Sequence, residues 1–563
     1  MQTDNFWKDK PEVCFANPER NGRAATKEGV RIRMNPVQEN LDSAKSTPLI
    51  LVTMAKNAVA NLFRSGASWI IVFFLPPLLV RVLDKSTYGV WMLLLQVAAY
   101  VTVFDSGIQT AIARFVARIE ISQDRLYMGR LLSSVGAVLV VSSLATVLLT
   151  ALVSWQLTHL FSDIPPSIAH DSREALLVIG ISVALTLPFS VVAGFFAGLQ
   201  KNEINAFAVS LGKFTGALGT AWAAYTHKGL LAMSVWAGAG SLIQCLTYTL
   251  FWNREGNRSL LRFTWIDVSM IREFLVFCSA MLVSQFSGIL ISGLDMPIVV
   301  AFDFHSAAYY AVAAMLSSAL IVPYGAIIST LMPVAAGMSA RDTPQRMGEL
   351  LVKTTRFSTV VLCLITVPLL LGMPLFLRIW VGSDYAIHTL TLAEILVVAQ
   401  FTRLSMLPYA MVGYAAGQLN RMLYAPISES LVNLLCSLIA VRVIGAPGVA
   451  LGTLIGAIVS VSVHVFVSLP RTDCVLVSRK RLAGTGILKP ALFALPILLV
   501  TLALTRWISL PWFQLPLIMI AELILLLLYW NFSFNTGDRE QLKGLIRHGF
   551  NLSGRLFPVL RPE

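Results

Sequence analysis

Residues 57–118 read NAVANLFRSGASWIIVFFLPPLLVRVLDKSTYGVWMLLLQVAAYVTVFDSGIQTAIARFVAR, and this stretch decides the fold of the chain. From Leu62 to Leu83 it is mostly apolar and long enough to cross a bilayer as a helix. Polar residues at intervals of three and four share one face of that helix, namely Asn57, Asn61, Arg64 and Ser68. Such a polar face inside a membrane helix predicts a water-filled cavity beside it.

The composition indicates a membrane protein throughout. Of the 563 residues, 56% are hydrophobic and only 13% are charged, and the mean hydropathy is +0.73. Soluble domains are roughly one quarter charged. We therefore expect an all-α polytopic membrane protein. A net charge of +13 can indicate nucleic-acid binding, but these charges follow membrane topology, so we expect contacts with membrane lipids and no nucleic acid.

Apolar windows predict about fourteen transmembrane helices with both termini in the cytoplasm. Lys and Arg concentrate in the C-terminal tail and in the loops that follow even-numbered spans, and positive residues favour the cytoplasmic side. The predicted spans are 62–83, 88–108, 131–153, 175–199, 205–226, 229–252, 272–301, 307–335, 357–377, 389–415, 422–444, 447–469, 488–508 and 511–532.

An internal duplication organises these spans. Pro297 follows Pro76 by 221 residues, and Leu407-Pro408-Tyr409 repeats Leu187-Pro188-Phe189 at an offset of 220. Because each copy holds six spans, both copies enter the membrane in the same direction. We expect two six-helix lobes related by a pseudo-twofold axis along the membrane normal, with two extra C-terminal helices beside them.

The predicted organisation follows from the spans and the polar segments between them. We expect the connections 108–119 and 259–271 to lie along the lipid headgroups. The first 48 residues lack the apolar core of a cleavable signal peptide. The predicted parts are a disordered cytoplasmic tail at 1–48, an N-lobe at 49–252, a cytoplasmic interfacial linker at 253–271, a C-lobe at 272–470, a cytoplasmic loop with helices 13 and 14 at 471–532, and a cytoplasmic C-terminal tail at 533–563.

Arg64, Lys213 and Arg403 are basic residues that all fall inside predicted spans. An unpaired charge at the bilayer centre costs about 2.5–3.5 kcal/mol on insertion scales, so such residues usually face a cavity or a partner. Lys213 can alternatively extend towards the cytoplasm, and Glu394 is a candidate structural partner for Arg403. The predicted substrate cavity comprises Asn57, Asn61, Arg64, Ser68, Lys213, Arg403 and Gln285, which occupies the position of Arg64 in the second repeat.

Acidic residues in the spans are candidates for proton or ion coupling: Asp295, Glu394 and Glu429. Asp295 can alternatively bond the backbone freed by Pro297. Glu429 shares a polar helical face with Asn433 and Ser437. The six cysteines are too scattered for a metal or redox pair, and we find neither a phosphate-binding glycine loop nor a nucleophile–base pair. We therefore expect no catalytic residue, metal or cofactor, and no enzymatic activity.

Two motifs resemble a known family. The run 81–91 (RVLDKSTYGVW), followed by 104–108 (FDSGI) and Arg114, is similar to the polysaccharide-transporter branch of the multidrug/oligosaccharidyl-lipid/polysaccharide exporter superfamily. The resemblance covers residues 50–470 and implies a flippase of the bacterial inner membrane. Its substrate would be an undecaprenyl-diphosphate-linked oligosaccharide for O-antigen or exopolysaccharide synthesis, carried by alternating access. Polysaccharide polymerase and glycosyltransferases would be its partners.

Four other functions are alternatives to this one. A peptidoglycan lipid-precursor flippase of the same superfamily also has fourteen spans and stays open as an alternative. A cation-coupled multidrug exporter would favour an acidic cavity, whereas the predicted cavity is basic. A polymerase or glycosyltransferase needs large loops that this chain lacks, and a channel would not explain the duplicated lobes.

Overall fold

Long apolar helices make up most of the chain in the computed structural model. The structure describes residues 66, 70–122, 124–272, 274–275, 288–328, 331–339, 342–507, 511–534, 536–537 and 539–540. Ten helices in this part are long and apolar enough to cross a membrane, and two shorter apolar helices accompany them. The prediction of a multi-pass helical membrane protein is confirmed.

The first six predicted spans all coincide with helices of the N-lobe. These helices are α1 (Ile70–Val82), α2 (Lys85–Ser122), α3 (Arg125–Leu160), α4 (Pro166–Thr186), α5 (Ser190–Gly198), α6 (Asn202–Tyr225) and α7 (Gly229–Arg254).

The remaining predicted spans overlap the helices of the C-lobe and the C-terminal pair, and residues 276–287 of the seventh span lie outside the described residues. The C-lobe contains α8 (Asp295–Phe302), α9 (Ala307–Ser318), α10 (Ile321–Ile328), α11 (Leu331–Ser339), α12 (Pro344–Trp380), α13 (Ser383–Leu404), α14 (Leu407–Ala415), α15 (Tyr424–Ile444) and α16 (Ala446–Val463). The C-terminal pair is α17 (Lys489–Trp507) and α18 (Pro511–Leu528).

Short polar turns determine where the helices begin. The backbone N–H of Thr87 donates to the Asp84 carboxylate at 2.9 Å as α2 starts, and that of Tyr127 donates to Asp124 at 3.0 Å as α3 starts. These side chains satisfy amide groups that have no partner within the helix. Pro166 and Pro344 occupy first helical positions, where a missing N–H costs nothing.

The duplicated Leu-Pro-aromatic motif occupies the same structural position in each lobe. In the N-lobe, Leu187–Phe189 forms a 3-10 turn between α4 and α5. In the C-lobe, a turn at 405–406 separates α13 from α14, which begins with Leu407 and Pro408. Proline lacks the N–H of a regular helix and displaces the preceding carbonyl, so each copy breaks its span at this point.

The predicted interfacial segment 108–119 lies in the last third of the long helix α2 and packs against its own lobe. Helix α2 continues without a break to Ser122, and Ile112 and Val116 on this stretch are fully buried. The linker is also bound to the N-lobe: the backbone N–H of Asp267 donates to Ser134 at 2.8 Å. Its Trp265 ring covers Gly129 of α3, where a side chain would clash. Both connections therefore extend the N-lobe surface.

We name the ends of the helical body from the predicted topology. The outer end carries the turns at 83–84, 161–165, 226–228, 303–306, 381–382 and 445, and the inner end carries those at 199–201, 255–267, 416–418 and 472–478.

The hydrophobic core joins the lobes towards the outer end and divides towards the inner end. One buried cluster contains Trp91 and Leu94 of the N-lobe together with Val312 and Leu377 of the C-lobe. Towards the inner end, one cluster draws on the N-lobe, the linker and Phe274 at the start of the C-lobe, and a separate one draws on C-lobe and following residues (331–482). Among the described residues, the lobes thus share an extensive core at the outer end, whereas further in Phe274 is the C-lobe residue that joins the N-lobe cluster.

Small residues allow close helix pairs within each lobe. A Cβ added to Gly240 of α7 would lie 2.9 Å from the backbone nitrogen of Gly216 on α6. The equivalent pair in the C-lobe, α15 and α16, brings Gly456 against Asn433 and Glu429. Close backbone approach replaces the hydrophobic effect, which does not drive association between helices inside lipid.

We predict that Gly240→Ala destabilises the N-lobe by about 1–3 kcal/mol, because backbone atoms cannot move aside for the added methyl group. Gly216→Ala on the same helix pair is the matched control, since its Cβ would meet Ala237 at an ordinary 3.6 Å. The measurement is thermal unfolding of both variants in detergent. Equal melting temperatures for the two variants would contradict the proposed packing.

Candidate functional site

A polar cavity of about 380 Å³ lies between the two lobes, towards the middle of the helical body. The N-lobe contributes Val72 of α1 together with Met92 and Gln96 of α2. The C-lobe contributes residues of α8, α9, α13 and α16, among them Asp295, Met296, Tyr310, Gln400, Arg403 and Thr453. The cavity therefore contacts both lobes, as an alternating-access site requires.

Arg403 is held in the cavity wall by two polar partners. Its Nε donates to Glu429 at 2.6 Å and one terminal nitrogen donates to Gln400 at 2.7 Å. The other terminal nitrogen is buried and has no hydrogen-bond partner among the described residues. The Arg403 side chain is 22% exposed and Glu429 is 2% exposed. The guanidinium is thus oriented by the protein, and part of the Arg403 side chain stays exposed where it lines the cavity.

The partner of Arg403 differs from the one considered on sequence grounds. Glu394 lies nine residues earlier on α13, which is about 13 Å along a helix. Glu394 is half-buried and does not line the cavity, whereas Glu429 reaches Arg403 from α15. The ion pair that the structure gives to Arg403 therefore links two helices of the C-lobe.

Asp295 is a buried carboxylate held by hydroxyl groups. One of its oxygens accepts hydrogen bonds from Tyr310 and from Thr453, each at 3.1 Å. These bonds come from side chains on α9 and α16, while the backbone N–H of Ile298 keeps its helical bond to Leu294 at 3.0 Å. Asp295 thus ties three C-lobe helices together, and its described bonds do not serve the backbone near Pro297.

The predicted polar face of α15 is buried beside Asp295. Asn433 donates to the carbonyl of Ile291, in the π-helical turn that precedes α8, and accepts from Ser437 at 3.0 Å. The Thr453 hydroxyl also lies 3.4 Å from the Asn433 side-chain oxygen. Carboxylate, amide and hydroxyl oxygens therefore converge within one buried group, which we call the Asp295 cluster (Asp295, Tyr310, Asn433, Ser437 and Thr453).

Lys213 lines a second cavity, inside the N-lobe. This space of about 420 Å³ lies among α1, α2, α6 and α7, with Ser241 and Gln244 as further polar residues in its wall. Val72 of α1 lines both cavities. The two cavities are therefore neighbours on either side of α1, but Lys213 and Arg403 do not line the same one.

Five predicted cavity residues lie outside the described residues: Asn57, Asn61, Arg64, Ser68 and Gln285. Their roles stay predictions. The described part of α1 begins at Ile70 and contributes Val72 to both cavities. Helix α1 is thus the element from which the predicted polar face would extend.

Sequence reasoning missed three residues with direct roles at this site: Gln400, Tyr310 and Thr453. Each is a single polar group within an apolar run, so periodicity gave little signal for them. A preference for hydroxyl residues at small-residue helix contacts could have indicated Thr453, which follows Gly452 on α16.

The run 81–91 closes the outer end between the lobes. Arg81 donates to the carbonyl of Ile379 at 2.9 Å, and the Lys85 ammonium pairs with Asp384 at 2.7 Å. From the C-lobe, the Trp380 indole donates to the carbonyl of Phe73 at 2.7 Å. These cross-lobe bonds give the motif a structural role at the lobe interface.

Comparison with solved structures shows the same fold. The lipid II flippase MurJ in an inward closed conformation superposes with a TM-score of 0.66 at 16% identity, covering 85% of this chain and 99% of MurJ. A multidrug resistance MATE family transporter of the MOP superfamily in an inward-facing conformation gives 0.62 at 14% identity, covering 71% of this chain and 94% of that one. The predicted two-lobe helical fold class is confirmed.

The sequence comparisons place the chain in one family. No curated protein matches it. The family model described as polysaccharide biosynthesis protein matches residues 54–339, which is just over half of the chain. The predicted resemblance to this family is confirmed, and the chain belongs to the polysaccharide biosynthesis protein family.

Proposed function

We propose that this protein is a flippase that moves undecaprenyl-diphosphate-linked oligosaccharide repeat units across the bacterial inner membrane. Both termini would lie in the cytoplasm, and the product would feed cell-surface polysaccharide synthesis. The observation that carries this proposal is the polar cavity between two lobes whose shared core lies mainly towards the outer end. Family membership supports a role in polysaccharide synthesis.

The described geometry supports recognition of an anionic head group. A diphosphate presents several acceptor oxygens, and arginine donates to such oxygens in a fixed planar arrangement. Arg403 is oriented by Glu429 and Gln400, and part of its side chain stays exposed where it lines the cavity. Lys213 in the neighbouring cavity and Arg64 on the N-terminal side of α1 would add positive charge, while the polyprenyl chain stays in lipid.

The transport cycle follows from the uneven packing of the lobes. With the outer end closed, the head group enters the cavity from the cytoplasmic side. Rocking of the lobes then separates the outer contacts and joins the inner halves, which exposes the head group to the periplasm. Binding contributes to this exchange only as far as the head group interacts more strongly with one state than with the other.

The same assay tests two alternative substrates. A peptidoglycan lipid precursor has the same diphosphate head, and only the glycan differs. A lipophilic cation would instead use the acidic residues, and Asp295 in the cavity wall is the observation that favours it. Flipping of fluorescent lipid-linked glycans in proteoliposomes, with an organic cation as the competitor, separates these cases.

We predict that Arg403→Lys reduces flipping about tenfold or more, because lysine keeps the charge beside Glu429 but loses the planar donors, and one charge-assisted hydrogen bond contributes about 1.5–3 kcal/mol. Arg378→Gln, which changes an exposed arginine near the outer end of α12, is the control. Wild-type flipping by Arg403→Lys would remove Arg403 from substrate recognition.

Arg64→Ala is expected to abolish surface polysaccharide at normal protein levels.

We further propose that the Asp295 cluster couples transport to an ion gradient, with Glu429 and Glu394 as secondary candidates. A lone buried carboxylate that faces a wet cavity binds a proton readily. A sodium ion would instead use the oxygen atoms of Asp295, Asn433 and Thr453, since hard cations favour oxygen ligands. Either ion neutralises Asp295, and thereby changes the charge between helices that belong to the moving C-lobe.

We predict that Asp295→Asn abolishes the dependence of flipping on the driving gradient while leaving the protein folded, because asparagine keeps the bonding atoms but carries no charge. Proteoliposomes with an imposed pH gradient or an imposed sodium gradient measure this and identify the ion. Asp303→Asn is the control, since Asp303 accepts from the backbone of Ala446 at 2.8 Å outside the cavity. A retained gradient response in Asp295→Asn would exclude Asp295 as the coupling group.

A further inference from the structure

A third cavity, which is polar, lies at the outer end, and the proposed transport cycle does not use it. Its volume is about 660 Å³. The N-lobe contributes only the start of α2, and the C-lobe contributes the turn before α9, the first turns of α13 and the start of α16. The polar residues in its wall are Lys85, Ser86, His305, Ser306, Tyr309, His388 and Thr391.

The lining of this outer cavity is rich in hydrogen-bond donors and has no acidic side chain. Lysine, imidazole and hydroxyl groups all present N–H or O–H donors, and no Asp or Glu is part of the described cavity wall. His305 and His388 are both exposed. A wall of this kind suits an anion with several oxygen atoms, such as a phosphate or diphosphate group.

Lys85 connects the cavity to the closure of the outer end. Its ammonium pairs across the lobes with Asp384 at 2.7 Å, and this hydrogen bond raises the pKa of Lys85 above its ordinary value. The same ammonium lies 5.3 Å from the centre of the Tyr309 ring. The His388 ring stacks on that ring, with the two ring centres 4.8 Å apart. A lysine released from Asp384 would therefore stay at the cavity wall.

The Lys85–Asp384 pair is exposed enough to exchange partners. The side chains are 49% and 57% exposed, in contrast to 22% and 2% for Arg403 and Glu429. Exposed ion pairs contribute little net stability because water and salt compete for both charges. An anion within the cavity can therefore replace Asp384 as the partner of Lys85 without leaving a buried charge unpaired.

We propose that the outer cavity is an anion-binding site for a phosphate or diphosphate group, in which the bound anion competes with Asp384 for Lys85. Because Lys85 belongs to the N-lobe and Asp384 to the C-lobe, occupancy removes one of the bonds that close the outer end. The anion is either a soluble phosphate or a lipid headgroup, since both present the same oxygens. This inference adds a site to the proposed transporter and is tested without measuring flipping.

The test is titration of the purified full-length protein with inorganic pyrophosphate, followed by calorimetry. We expect saturable binding to wild type, about tenfold weaker binding to Lys85→Gln, and about threefold or more tighter binding to Asp384→Asn. Both substitutions break the same ion pair, so a purely structural role would shift binding in the same direction. The opposite signs are therefore specific to competition for Lys85.

Two results would overturn the proposal: no saturable binding to either wild type or Asp384→Asn, or equal changes in both variants. The source of the anion is resolved by repeating the titration in nanodiscs with and without phosphatidylglycerol. Weaker pyrophosphate binding in the anionic nanodiscs assigns the site to a lipid headgroup, and unchanged binding assigns it to a soluble phosphate.

Discussion

The structure depends on one asymmetric contact between the lobes, which is extensive towards the outer end and, among the described residues of the inner-end N-lobe cluster, reduced to Phe274 of the C-lobe. Aromatic residues take part in this contact: Tyr88 of the N-lobe meets Tyr385 of the C-lobe at a steep angle, with the ring centres 6.5 Å apart. Inside a membrane, packing and hydrogen bonds must replace the hydrophobic effect in holding helices together. The inter-lobe cavity exists because this contact stops partway across the molecule.

The polar groups around the cavity are costly to keep in a membrane protein. A buried ion pair such as Arg403–Glu429 is weak evidence for stability, because an apolar pair of similar volume often packs as well. Asp295 adds a further buried carboxylate, and Tyr310 and Thr453 provide its hydroxyl donors. Groups of this kind are common on substrate and ion pathways, which is why we assign the cavity to transport and the Asp295 cluster to coupling.

Much of the fold was predictable because the bilayer imposes simple rules on sequence. Apolar length gave the spans, and the offset between Pro76 and Pro297 gave the two lobes. Which side chains meet was less predictable. Glu394 shares a helix with Arg403 and was the natural candidate partner, yet Glu429 on another helix binds the guanidinium. Such pairings depend on how each helix is rotated and on how closely it packs against its neighbours. Sequence periodicity within one helix determines neither.

What covers the segment 108–119 was unpredictable for a related reason. Apolar residues on one side and arginine on the other fit a helix lying in the headgroups, but they equally fit the inner end of a long helix packed on its own lobe. The burial of Ile112 and Val116 in the N-lobe cluster shows that the apolar face packs on the lobe. Amphipathicity identifies the buried face of a helix and leaves open what covers it.

Alternate opening of the two ends is measured most directly by double electron–electron resonance, which gives distances between spin labels on the two lobes. Spin labels at Ser162 and Ser383 report on the outer end, and labels at Asp124 and Asn420 report on the inner end, in a background without the six native cysteines. On addition of a lipid-linked oligosaccharide, the outer distance should lengthen while the inner distance shortens. Unchanged distances, or changes of the same sign at both ends, would contradict alternating access around the inter-lobe cavity.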